Sequence, residues 1–218
     1  MFLQPHQLTI PTETHNYPEW HKGREEYALW YIEIDQPELI AYLNQLRQQF
    51  SNYLLQPNIR QFHITLFICG FLKQDCAQLN DDFSQNQFQQ QLAQLENTYF
   101  KTFKLSTGQI KSFESALFVE ILDTENSLSK IRKLFSSCHQ EIAALDYCSH
   151  ITLGLYQAAF ESEQIFEEIS VIQKKTFEIS INKLTFGFYK AKILQGELYP
   201  MHQYKLGQYN DQPALFQE

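Results

Sequence analysis

The sequence predicts an α+β protein built on a duplicated strand–helix–strand unit, and three observations point there. The tetrapeptide His-Ile-Thr-Leu occurs twice, at His63 to Leu66 and at His150 to Leu153. Each copy sits in a β-branched and aromatic run, residues 61–68 and 149–156, which reads as a strand. Each is preceded by a further strand and an amphipathic helix at nearly the same distance: Tyr27 lies 36 positions before His63, and Ala116 lies 34 before His150. Equal spacing of this kind marks an internal duplication with pseudo-two-fold symmetry.

Residues 1–26 are polar, with Pro5, Pro11 and Pro18, and read as an extended arm docked by Tyr17 and Trp20. From Tyr27 to Ile34 the residues Ala28, Trp30, Ile32 and Ile34 alternate onto one face of a strand. Asp35 is the expected N-cap of the next helix, with Pro37 in its first turn. Its apolar stripe is Leu39, Tyr42, Leu43, Leu46 and Phe50, which recur at helical spacing. The first motif strand follows the turn at Gln56-Pro57-Asn58. A second helix, capped by Asp81 or Asp82, buries Phe88, Leu92, Leu95 and Tyr99 and exposes a glutamine-rich face. A strand over 100–105 and a turn near Thr107-Gly108 lead to the second unit.

There, Leu117, Val119 and Ile121 alternate along a strand from Ser115 to Leu122, and Asp123 to Asn126 cap a helix. Its stripe is Leu128, Ile131, Leu134, Phe135, Cys138, Ile142 and Leu145. After the second motif strand come a short acidic helix over 161–169, strand signals over 176–193 and a weaker one over 201–206. The expected organisation is an arm over 1–26, one domain over 27–210 with duplicated units at 27–69 and 115–156, and a tail over 211–218.

With 218 residues, 44% of them hydrophobic and 18 of them Phe, the chain can bury a sizeable core. Its formal charge of −8 disfavours wrapping long duplex nucleic acid, whose affinity rests on a basic field. A small phosphate ligand held by a local positive patch fits better. Cys69, Cys76, Cys138 and Cys148 show neither CxxC spacing nor a secreted disulfide pattern. No apolar run reaches the length of a membrane span, and the N-terminus lacks a signal-peptide pattern. A soluble, cytoplasmic monomer is expected.

In a strand, residues i and i+2 share a face. Each motif therefore presents an imidazole and a hydroxyl side by side, His63 with Thr65 and His150 with Thr152. Histidine titrates near neutrality, so a pair can hold one neutral base and one charged acid at once. One takes a proton from the attacking water or hydroxyl, and the other gives a proton to the leaving oxygen. The threonines would donate to the non-bridging phosphate oxygens. The scheme needs no metal or cofactor, and the sequence holds no HExxH or CxxC set. One His-x-Thr is a weak signal. Two identical copies at the same place in a repeated unit are a strong one.

This paired motif resembles the 2H phosphoesterase superfamily, the 2′-5′ RNA ligase-like and RNA 2′,3′-cyclic phosphodiesterase proteins, over about residues 27 to 190. The resemblance implies two pseudo-symmetric lobes, each a small, mostly antiparallel sheet with helices on its outer face, and the two His-x-Thr strands facing a central groove. It makes His63 and His150 the acid–base pair and Thr65 and Thr152 the phosphate ligands. It implies a metal-independent phosphoesterase acting on a nucleotide or short RNA end that bears a 2′,3′-cyclic phosphate or a 2′-5′ linkage. Many bacterial members carry a basic residue two places after the first motif threonine, where this chain has Phe67. An aromatic contact is expected there instead. A binding module for the same ligands, without turnover, is the alternative from another class.

Phe67, Tyr156, Phe118 and Tyr189 are candidates to stack on a nucleobase. Phe67 and Tyr156 share face parity with the motif histidines, as does Gly154, which either leaves room for a ligand or relieves packing. Cys148 reads as an ordinary buried thiol. Lys101, Lys104, Lys111, Lys183, Lys190 and Lys192 could form a basic rim. His6, His15, His21, His139 and His202 read as surface or structural residues.

Overall fold

The computed structural model describes residues 1–74, 77–142 and 146–207. Cys76, Leu145 and the tail over 211–218, all named above, lie outside the described residues. A one-turn helix α1 (Pro18–His21) precedes β1 (Glu26–Glu33), α2 (Pro37–Gln49) and the first motif strand β2 (His63–Lys73). A short β3 (Asp82–Ser84) leads into α3 (Gln85–Thr98) and β4 (Phe103–Ser112). The second unit is β5 (Ala116–Leu122), α4 (Ser127–Ser136) and the motif strand β6 (His150–Leu155). After it come α5 (Ser162–Ser170), β7 (Glu178–Ile181), β8 (Lys183–Lys190) and β9 (Leu198–Lys205).

The strands form one sheet in the order β7-β4-β5-β6-β2-β1-β8-β9, with β3 added in parallel to β2 and every neighbour along that order antiparallel. The α+β reading with two pseudo-symmetric lobes holds, and the lobes are the two halves of this sheet. One half is β2-β1-β8-β9 and the other is β6-β5-β4-β7, related by exchange of the repeated units. They meet where β2 and β6 pair through Ile64 and Ile151.

Each helix of the duplicated units covers the other half's motif strand: α2 contacts β6, and α4 contacts β2. The core shows the same exchange. Phe135 of α4 stacks on Trp30 of β1, ring centroids 5.0 Å apart, and meets Phe67 of β2 edge-on at 5.6 Å. Tyr42 of α2 lies 5.4 Å from Phe177, beside β7. The stripe of α2 is buried as its spacing predicts, through Leu39, Tyr42, Leu43 and Leu46, with Phe50 at its C-cap. In α3 one glutamine faces inward: the Gln91 carbonyl accepts from Trp30 Nε1 at 2.8 Å.

The helix starts differ from expectation at two places. Gln36, not Asp35, is the N-cap of α2, and the Asp35 carboxylate instead lies 3.5 Å from Lys183. Ser84 caps α3 in a capping box with Gln87, because Asp81 and Asp82 are held by Arg24. Tyr99 ends α3 as its C-cap and is exposed. Asp123 does cap α4, accepting from the amides of Ser127 and Leu128 at 3.0 and 2.8 Å. The strand expected over 100–105 continues through the expected turn to Ser112, with a register irregularity between Thr107 and Ile110.

Phe135 links the halves, so its truncation opens a cavity in the shared core. Phe135→Ala is expected to cost about 3–5 kcal/mol in urea unfolding, whereas Val171→Ala, at an exposed position, stays within about 0.5 kcal/mol.

Candidate active site

The Ile64–Ile151 pairing fixes the geometry of the site. In an antiparallel register, pairing 64 with 151 sets His63 opposite Thr152 and Thr65 opposite His150. The two isoleucines point into the core, and the four polar side chains share the other face. Directly opposed side chains have Cβ atoms about 4.5–5.5 Å apart, and diagonal ones about 7–8 Å apart. Each histidine therefore has the other motif's threonine beside it, with the second histidine diagonal to it.

The two histidines are held alike. His63 Nδ1 lies 2.8 Å from the Gln61 carbonyl oxygen, and His150 Nδ1 lies 2.7 Å from that of Cys148. A carbonyl oxygen only accepts, so Nδ1 carries the proton in each ring and the neutral form keeps Nε2 as its basic atom. An aromatic ring on the neighbouring strand props each imidazole edge-on: Tyr31 at 5.9 Å from His63 and Phe118 at 5.1 Å from His150. Each histidine is also cross-strand from a glutamate tied to a lysine, Glu33 with Lys183 at 3.0 Å and Glu120 with Lys111 at 2.5 Å. Burial lowers both imidazole pKa values. His63 falls to about 4, with the Gln61 carbonyl opposing the fall and Arg60, His150 and Arg47 adding to it. His150 is lowered by burial, which the Cys148 carbonyl opposes.

The duplicated helices each bring an arginine to the opposite motif strand. Arg47 Nε of α2 donates to the Leu153 carbonyl at 2.8 Å, and Arg132 Nη1 of α4 donates to the Leu66 carbonyl at 2.6 Å. Each guanidinium also lies over an aromatic ring, Arg47 over Phe62 at 4.0 Å and Arg132 over Tyr147 at 3.8 Å. There the symmetry stops. Arg132 is neutralised by Glu141, whereas Arg47 has no carboxylate partner among the described residues. Burial lowers the Arg47 pKa to about 10. Arg60 is also without a carboxylate partner among them; its Nε donates to the Gly196 carbonyl at 2.8 Å, and it lies 4.1 Å from the Tyr189 ring centroid. Both arginines line a cavity of about 470 Å³ with His63, Thr65 and Thr152. Two half-buried cations without counter-ions make that cavity a site for an anion.

Of the residues singled out from sequence, His63, Thr65, Thr152 and Tyr189 line this cavity, and His150 is not among its lining residues. Phe67, Phe118 and Tyr156 do not reach it, because all three are fully buried. Phe118 instead supports His150, and Tyr156 bonds through its hydroxyl to Ser112 at 2.6 Å. For Phe67 and Tyr156 the cause is a bulge. Tyr31 pairs with Thr65 but Trp30 with Phe67, so Leu66 is an extra residue in β2. Phe118 pairs with Thr152 but Leu117 with Gly154, so Leu153 is the matching extra residue in β6. Each bulge reverses face parity immediately after the motif.

Gly154 lies past the bulge, and a Cβ there would meet the Leu54 side chain at 3.1 Å, so it relieves packing. Burial raises the Cys148 thiol pKa, as for an ordinary thiol. The lysine rim is largely paired: Lys104 with Glu178, Lys111 with Glu120, Lys183 with Glu33 and Lys190 with Glu26; Lys101 lies elsewhere, and Lys192 lines the cavity. His15, expected to stand apart, also lines it. Sequence reasoning misses Arg47 and Arg60. The available signal is the repeat itself, since Arg47 and Arg132 follow the same leucine and isoleucine stripes at one offset. Among the described residues no group of three or more His, Cys, Asp or Glu is placed to hold a metal ion. Nor is any helix among them long and apolar enough to cross a membrane.

A family model described as 2′-5′ RNA ligase superfamily matches residues 35–188. Comparison with curated proteins finds no match. Among solved structures, the chain is similar to E. coli LigT in apo form, at 12% identity over 85% of this chain and 100% of that one, with a TM-score of 0.56. E. coli LigT complexed with 3′-AMP gives 13% identity over 84% and 99%, at a TM-score of 0.53. The protein TT0787 of Thermus thermophilus gives 11% identity over 85% and 100%, at 0.54. At these identities the likeness establishes the fold.

The broken symmetry of the two arginines has a measurable consequence. Arg132→Met leaves the Glu141 carboxylate without its cation, with only the Ile68 amide, and strands the Leu66 carbonyl; it is expected to cost about 3 kcal/mol in urea unfolding. Arg47→Met strands no carboxylate, and the Leu153 carbonyl keeps its 3.2 Å bond from Asn58, so about 1 kcal/mol is expected.

Proposed function

The chain belongs to the 2′-5′ RNA ligase superfamily, and from that membership we propose that it is a metal-independent phosphoesterase. Its substrate is a nucleotide or short RNA end bearing a 2′,3′-cyclic phosphate or a 2′-5′ phosphodiester. The observation that carries this reading is the four-residue square set by the Ile64–Ile151 pairing. It offers two proton-transfer groups and two hydroxyl donors on one face of the paired strands.

In the proposed step, one imidazole Nε2 takes a proton from water as the water oxygen bonds to phosphorus. The bond from phosphorus to one ribose oxygen breaks, and the other imidazole gives that oxygen its proton. Thr65 and Thr152 donate to the non-bridging oxygens, and Arg47 and Arg60 offset the negative charge that grows there. We assign the base to His63, whose charged form is disfavoured by burial first and then by Arg60 and Arg47. His150, the other imidazole of the pair, is then the acid. E. coli LigT has been solved with NADP+, 3′-AMP and ATP, which supports a nucleotide as the ligand.

His63→Ala and His150→Ala are each expected to lower kcat by about 10²–10⁴ with the fold retained by circular dichroism, and EDTA is expected to change nothing. The assay is product formation from 2′,3′-cyclic mononucleotides, a cyclic-phosphate-ended oligoribonucleotide and 2′-5′ oligoadenylate. Activity removed by EDTA would sink the mechanism. Stoichiometric binding with no product from any of them would replace it with a non-catalytic module.

A further inference from the structure

The residues before the family-matched segment reach across the groove. Backbone amides of Leu3, Thr9, Ile10 and Thr12 donate to carbonyls of Ser112, Phe160, Glu114 and Tyr156, fastening residues 3–12 to the half of the sheet that holds β4, β5 and β6. A second anchor lies on the opposite half. Trp20 packs on Tyr27 and Phe71 at 5.0 and 5.1 Å, and Arg24 pairs with Asp81 at 2.6 Å and with the buried Asp82 at 2.8 Å. Residues 13–19 are the strap between these anchors. His15 and Tyr17 from the strap, with Trp20 behind them, line the same cavity as His63, Thr65 and Thr152.

The strap holds its rings in place. The Tyr17 hydroxyl donates to the Glu13 carbonyl at 2.6 Å, and its ring lies 3.8 Å from the His15 ring at a 35° tilt. Tyr17 itself adopts a left-handed backbone, φ 41°, just before Pro18 opens α1. A tyrosine held in that region costs on the order of 1 kcal/mol and persists where the surroundings fix it. Here the two anchors do so. The cavity is thus aromatic at the strap, through His15, Tyr17 and Trp20, and cationic at Arg47 and Arg60. A nucleoside phosphate has the same polarity, a flat base at one end and an anion at the other.

We propose that the strap is the base-recognition wall of this site: the stacked His15–Tyr17 pair offers the Tyr17 ring to the nucleobase of a nucleoside phosphate whose phosphate lies at His63, Arg47 and Arg60. A strap tied to both halves also bars a continuous strand from passing through, so the ligand enters as a mononucleotide or a chain end. This inference rests on the phosphoesterase reading for the position of the phosphate.

Binding tests it without turnover. Of the two tryptophans, Trp30 is fully buried in the core, so a fluorescence change on adding ligand reports Trp20. The probes are 3′-AMP and base-free ribose 5-phosphate, titrated against the wild type, Tyr17→Ala and Tyr17→Phe. Tyr17→Ala is expected to bind 3′-AMP about tenfold more weakly, in line with the measured worth of one base–aromatic stack. Its affinity for ribose 5-phosphate stays at the wild-type value, and Tyr17→Phe binds 3′-AMP as the wild type does. The proposal is overturned if Tyr17→Ala binds 3′-AMP unchanged, if it loses both probes equally, or if millimolar 3′-AMP leaves the wild type unbound. Base-dependent binding without turnover of any cyclic phosphate would remove the phosphoesterase reading and leave the strap's role standing.

Discussion

Where β2 meets β6, Ile64 and Ile151 pair across an antiparallel ladder with both side chains fully buried. Strand side chains alternate with period two, so this single pairing decides which residues of both motifs face the groove. A slip of one residue would place an isoleucine on the polar face and a histidine in the core, which the burial of the isoleucines opposes strongly. The pairing also joins the two halves of the sheet, so the site and the fold share one constraint. The crossed helices reinforce it, because each unit's helix is committed to the other unit's strand.

The pseudo-two-fold symmetry is complete near the motifs and is lost where a ligand would need it lost. Both motif strands bulge at the leucine after the threonine, both bulged carbonyls accept from an arginine, and both histidines bond through Nδ1 to the carbonyl two residues earlier. Glu141 neutralises one arginine and leaves the other uncompensated. With Arg60 beside Arg47, positive charge collects on the His63 side of the groove. A symmetric fold thereby acquires a direction, with a side that carries uncompensated arginines and a side where Phe113 and Phe118 enclose His150.

Much of this is legible in the chain. The duplication, the strand stripes, the stripe of α2 and the choice of the four motif residues follow from local periodicity, but the stripe expected for α4 overruns the helix, which ends at Ser136, before Cys138 and Ile142. Carrying face parity past Leu66 and Leu153 misplaces Phe67 and Tyr156. Both leucines look like ordinary strand residues, and only pairing with β1 and β5 reveals them as extra ones. Asp81 and Asp82 read as helix caps because their partner, Arg24, lies 57 and 58 positions away. Arg47 and Arg60 escape notice for a similar reason. An arginine next to a helical stripe looks solvated until it is known that Glu141 serves Arg132 alone. Residues 1–26 read as an arm, but nothing in their polar sequence tells where they cross the sheet.

The central claim is that the two motif histidines act together in opposite protonation states, and the pH dependence of kcat/KM tests it most directly. That profile reports the free enzyme's acid and base. Measured with a 2′,3′-cyclic mononucleotide in the presence of EDTA, it is predicted to be bell-shaped. Its maximum falls below pH 6.5, between the about 4 of His63 and the lowered value of His150, and the residual activity of His63→Ala lacks the acid limb. A profile without an alkaline limb through pH 8, or one that both histidine variants leave unchanged in shape, would contradict the account.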